Sequence, residues 1–254
     1  MKLNSIICTI QKEWEQINPD VYNFWYYNIE FIVDYLTKNV KKLNIPTPNF
    51  NSIVIEPKDI MIGFIDVHEY LKNLEVYVPI QKDELLSIVD SKNFKDRCEK
   101  VLAILERGYR IASEYYDIKI DKLLKLHQQF REGGYKHEWL FKKKPIKEFG
   151  VYVFFKCYFT TIDFRLELVV YDIKKTQLLT KGVVLRTGPS WICFGKEFNK
   201  GIEIDNDKMY LLDFLNKRAF EFDLNKLSKG EFNVTQLSKV RDYTETINRI
   251  NWLK

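Results

Sequence analysis

Two adjacent glycines, Gly133 and Gly134, separate stretches of this 254-residue chain that follow different hydrophobic periods. Upstream, apolar side chains recur every three to four residues, the spacing that gives a helix one buried face. Downstream they recur every second residue, the spacing of a half-buried strand. A glycine pair ends a helix readily, because glycine adopts the left-handed conformation at little cost. A run of helices followed by a run of strands specifies the α+β class. We read 1–134 as a helix-rich subdomain with a few short strands. We read 135–254 as an antiparallel β-rich subdomain, a meander of five to seven strands closed by a C-terminal helix. The two stand either as subdomains or as one continuous domain.

Local signals place the elements. Asn18-Pro19-Asp20 combines a capping side chain, proline at the first helical position and an acid in the first turn. Phe24, Tyr27, Phe31, Ile32, Tyr35 and Leu36 then share a face, and Lys38, Lys41 and Lys42 suit a C-terminus, which predicts a helix over 19–42. A shorter helix is expected over 5–16. Residues 52–56 read as a strand ended by Pro57, and 60–65 as either strand or buried helix. Leu74–Val78 alternates as a strand does, and helices follow at 82–89, 92–115 and 118–131. Beyond the glycines, 151–159 and 164–171 form a hairpin about Thr160–Asp163, and 177–186 pairs next. Residues 202–204, 209–212 and 219–224 extend the meander through turns at 205–207 and 215–217, and a helix capped by Thr235 is expected over 236–250.

The charge is uneven. The chain carries 40 Lys and Arg against 35 Asp and Glu, a net of +5. Residues 43–90 nevertheless hold three basic and eight acidic side chains, whereas 135–200 hold thirteen and six. Dedicated nucleic-acid binders are usually more strongly basic than the whole chain is. No apolar run approaches the roughly 20 residues a membrane span needs, so no membrane association is expected. Cys8, Cys98, Cys157 and Cys193 are far apart and form no C-x-x-C pair, which suits buried thiols in a reducing cytoplasm.

Candidate chemistry was weighed against plainer accounts. No glycine-rich phosphate loop, G-x-S-x-G elbow or H-E-x-x-H motif occurs, and nothing calls for a cofactor or a metal. Asp66, Glu69 and Glu75 are candidates for a carboxylate cluster, although solvated faces account for most such charges. His68, flanked by Asp66 and Glu69, reads as a loop histidine. His127, Arg131 and His137 would build a hydrolytic or anion site only if they converge. The most basic segment holds Lys136, Trp139, Lys142, Lys143, Lys144 and Lys147, lysines interleaved with aromatics. Such a pattern can hold a phosphate backbone while a ring stacks on a base. The plainer account is an edge strand with Trp139 and Phe141 turned to the core and lysines in solvent.

These readings favour a non-catalytic protein-interaction factor that binds another protein, such as a toxin-immunity protein or a phage–host antagonist. The alternative is a nucleic-acid-binding or -processing protein using 136–147. A docking surface for a basic partner is expected within 56–90, away from the lysine strand.

Overall fold

A computed structural model describes residues 1–160, 163–188, 201–213 and 215–237. The protein is a mixture of helix and largely antiparallel sheet, and its contacts divide it into two compact units, Met1–Lys136 and His137–Lys254. The described residues contain twelve strands in three sheets, where the sequence predicted a few short strands and one meander of five to seven.

The first unit is less helical than its periodicity suggests, because it is built on a four-stranded mixed sheet. Its strands are β1 (Ser5–Cys8), β2 (Ser52–Lys58), β3 (Phe64–His68) and β4 (Asn73–Pro79), in the order β1-β2-β4-β3. β1 pairs with β2 and β2 with β4 in parallel; only β3 and β4 are antiparallel. The expected helix over 5–16 is thus a strand followed, after a break, by the single turn α1 (Trp14–Ile17). Ile6 sets its side chain into the core by pairing with Ile53, which local periodicity over so few residues does not reveal. β2 also continues through Pro57 to Lys58.

Asn18 caps α2 (Pro19–Asn23) as expected, its side chain accepting from the amides of Asp20 and Val21. The expected long helix is broken by a π-helical turn at Phe24–Asn28, resumes as α3 (Glu30–Val40), and ends in a 3-10 turn at 41–43. Helices α4 (Lys82–Asp90), α5 (Phe94–Tyr115) and α6 (Ile120–Glu132) complete the unit. The side chains of Ile53, Ile55, Leu74, Val76 and Val78 are all buried on one face of the sheet. Helix α5 packs on that face so closely that a Cβ on Gly108 would stand 2.8 Å from Ile55 Cδ1.

The second unit opens with a meander of β5 (His137–Ile146), β6 (Val151–Phe159), β7 (Phe164–Asp172) and β8 (Leu178–Thr187), antiparallel throughout. Strict alternation in β6 buries Val151, Val153, Phe155, Cys157 and Phe159. A second sheet contains β9 (Gly201–Asp205), β10 (Lys208–Leu212), β11 (Arg218–Asp223) and β12 (Thr235–Gln236), with the one-turn helix α7 (Leu224–Ser228) before β12. Thr235, read as a helix cap, instead pairs with Glu221 in the sheet. The rest of the expected C-terminal helix, from 238 onward, lies outside the described residues, as does Cys193. Among the described residues no helix is long and apolar enough to cross a membrane.

Candidate interaction surface

One face of the first unit's sheet is packed against helices; the other carries its polar and aromatic side chains in three rows. Cross-strand register aligns Glu56, Tyr77 and Phe64 in one row, Val54, Glu75 and Asp66 in the next, and Ser52, Asn73 and His68 in the third. Side chains across from one another in adjacent strands stand close enough to interact, and these do. The Phe64 and Tyr77 rings stack with centroids 4.5 Å apart, and Lys58 Nζ lies 4.8 Å from the Tyr77 ring centre. The Tyr77 hydroxyl donates to Glu75 Oε2 at 2.7 Å. His68 Nε2 lies 3.2 Å from Glu75 Oε2 and 3.6 Å from Asp66 Oδ2.

The electrostatics of this face are acidic. The hydrogen bond to Glu75 holds the Tyr77 phenol up at about 12, with burial and the charges of Glu75, Glu56 and Asp66 adding to it. Partial burial raises Glu56 above the usual carboxylate range; Lys58 opposes this, while Glu75 and Glu13 reinforce it. Of the three carboxylates picked out in the sequence, the fold brings Asp66 and Glu75 into register and leaves Glu69 exposed in the following turn. His68 lies in strand β3, a correction to its reading as a loop residue. Among the described residues no group of three or more His, Cys, Asp or Glu side chains is placed to hold a metal ion.

The apolar run 60–65 is neither buried helix nor wholly strand. Met61 is 91% exposed and Ile62 80%, in bends that lead into β3. At the other end of β3, Tyr70 is 96% exposed and Leu71 is also exposed. Phe64 adds a further exposed ring at the start of the strand. Large apolar side chains therefore flank β3 at both ends, separated by roughly 13 Å of extended backbone. The loop that displays Met61 and Ile62 is held down at Gly63, where an added Cβ would stand 2.6 Å from Ile111 of α5.

Comparison with protein-family models, curated proteins and solved structures returns no match.

Arg131 lies near enough to His127 to depress its imidazole, and both belong to the first unit. His127 is buried beside Tyr109, Arg131 makes a bidentate ion pair with Glu99, and the His137 ring is tilted against Trp139 and lies near Phe159 in the second unit. Each thus has its own packing neighbours. The lysine-rich strand is β5, an edge strand with a bulge between Leu140 and Lys142. Before the bulge Trp139 pairs with Cys157 on the buried face of the sheet, and its ring packs near Phe164. After it the parity flips, so Lys142 and Lys144 pair with the buried Phe155 and Val153, while Lys143 pairs with Phe154 on the opposite face. Lys144 Nζ donates to the Ile202 carbonyl at 3.2 Å. Lys136 and Lys147 are exposed outside the flat of the strand. The plainer account holds for Trp139, but the lysines divide between two faces.

Sequence reading overlooked Phe64, Tyr77, Met61, Ile62, Tyr70 and Leu71 as parts of one surface. The alternation of Phe64, Asp66 and His68 was the available signal.

Proposed function

We propose that this chain is a protein-interaction factor whose contact surface is the acidic open face and outer edge of the N-terminal sheet. The observation that carries the reading is the set of exposed Met61, Ile62, Phe64, Tyr70 and Leu71 around β3. Scattered single apolar residues are ordinary on a surface, but several large ones around one strand characterise a binding site. Aromatic and Met side chains are enriched in such sites and carry much of the binding energy. The neighbouring Glu56, Asp66 and Glu75 favour a partner with a basic complementary surface. A factor that neutralises a basic toxin, or that antagonises a host or phage protein, fits this combination.

Nucleic-acid binding through β5 draws less support, because its lysines do not form one continuous stripe. The test is co-purification with the products of the neighbouring genes, followed by reconstitution from purified components. Met61→Asp with Tyr70→Asp should abolish the complex, and a complex indifferent to that double variant overturns the assignment of the surface.

A further inference from the structure

Resting on that reading, we infer that the outer edge of β3 accepts an extended basic segment of the partner as an added strand. The two edges of the N-terminal sheet are treated differently. At β1 the edge is closed by helix α3: Ile6 N–H donates to Thr37 Oγ1 at 3.1 Å, and Thr37 Oγ1 donates to the Ile6 carbonyl at 2.8 Å. One side chain thereby occupies both outward backbone groups of the residue.

β3 ends the sheet, and among the described residues β4 is the strand it pairs with. The Val67 amide turns away from β4 and donates to its neighbour's carboxylate, Asp66 Oδ1, at 2.8 Å in an exposed position. Antiparallel strands alternate residues facing the partner strand with residues facing away, so Ile65 presents its backbone outward as Val67 does. Proteins usually protect such an edge with charges or proline. Asp66 is such a charge, but exposed Met61, Ile62, Tyr70 and Leu71 around it work in the opposite sense.

The side chains specify the occupant. On the open face an added strand lies beside Phe64, Asp66 and His68, so alternate residues should be lysine or arginine. On the other face it lies beside Ile65 and Val67, so the intervening residues should be apolar. A second copy fits poorly. Two-fold antiparallel pairing centred on β3 would set Asp66 against Asp66, and like charges directly opposite are unfavourable.

The experiment uses the full chain and a capped peptide of alternating lysine and valine, read by amide exchange and by titration. Saturating peptide should slow exchange at Ile65 and Val67. N-methylating one alternate set of peptide amides should weaken binding about tenfold or more, while methylating the other set changes it little. Val67→Pro, which removes an edge amide that β4 does not use, should have the effect of the damaging methylation. Asp66→Asn should weaken binding at low salt and flatten its salt dependence. Absent binding, or equal effects of both methylations, overturns strand addition even where the Met61→Asp, Tyr70→Asp variant still abolishes the partner complex; the surface assignment then stands alone. Protection of Ile65 and Val67 that grows with protein concentration without peptide assigns the edge to a second copy and overturns the inference too.

Discussion

His127 Nε2 lies 3.4 Å from the Tyr109 hydroxyl inside the first unit, and both side chains are fully buried. The two groups share a hydrogen bond, while His127 Nδ1 has no hydrogen-bond partner among the described residues. Burial first, and the Arg131 charge second, depress the imidazole to about 4, against the pull of Glu106 and Glu99.

That depression makes the first unit acid-sensitive. The unfolded chain binds a proton at His127 below about pH 6.5, whereas the folded chain does so only near pH 4. The contribution is complete above pH 6.5 and is lost progressively as pH falls to 4, roughly 3 kcal/mol in all. Urea midpoints at pH 7 and pH 4.5 should differ more for the native chain than for His127→Leu. Equal differences would exclude His127 as the source.

Glu99 of α5 ties down two side chains at the end of α6, Arg131 and Tyr135. Its carboxylate accepts Arg131 Nε at 2.9 Å and Nη2 at 2.9 Å, and the Tyr135 hydroxyl donates to it at 2.6 Å. Arg131 therefore holds Glu99 below the usual carboxylate range, and the same carboxylate lifts Tyr135 to about 12. Because the pair is partly exposed and screened, Glu99→Gln should cost only about 1 kcal/mol. The sharper readout is spectroscopic: the Tyr135 phenol should titrate closer to 10 in Glu99→Gln. An unmoved titration would show that the bond is not held in solution.

Gly108 should resist the change that usually stabilises a helix. Gly→Ala inside a helix commonly gains about 1 kcal/mol. At this position the new methyl meets Ile55 Cδ1 and Cγ1 at 2.8 Å. Gly108→Ala should instead lose about 1–3 kcal/mol, as overpacked cores do. With Ile55→Ala in the same chain the two losses should fall short of additive. A stabilised Gly108→Ala would mean that α5 can move off the sheet.

The divided lysines of β5 give a prediction for the competing reading. Glutamine at Lys142, Lys143 and Lys144 together should leave the protein partner's affinity unchanged. Filter binding of single-stranded DNA at low salt should show no slope that these substitutions flatten. A slope that falls by about one per lysine removed would restore the nucleic-acid reading.

Where a signal is local, sequence alone was enough. The Asn18 cap acts through amides two and three residues away. The buried face of α5, with Cys98, Val101, Leu102, Leu105, Tyr109 and Ala112, follows from helical spacing. The alternation of β6 follows from the pleat, and the turn at Asn206 from a residue type that tolerates its positive φ of 52°. Tertiary structure decided the rest. Ser5–Cys8 is a strand only because β2, more than forty residues later, offers parallel register, and four residues carry no period of their own. The π-helical turn at Phe24–Asn28 interrupts a helix whose spacing predicted no break. The bulge after Leu140 turns Lys142 and Lys144 to the face that alternation had given to aromatics. Most of all, the surface around β3 exists because β4 returns antiparallel beside it, setting Asp66 against Glu75 and Phe64 against Tyr77. Composition placed acidic residues in that stretch; only pairing between strands put them on one face, beside the strand that ends the sheet.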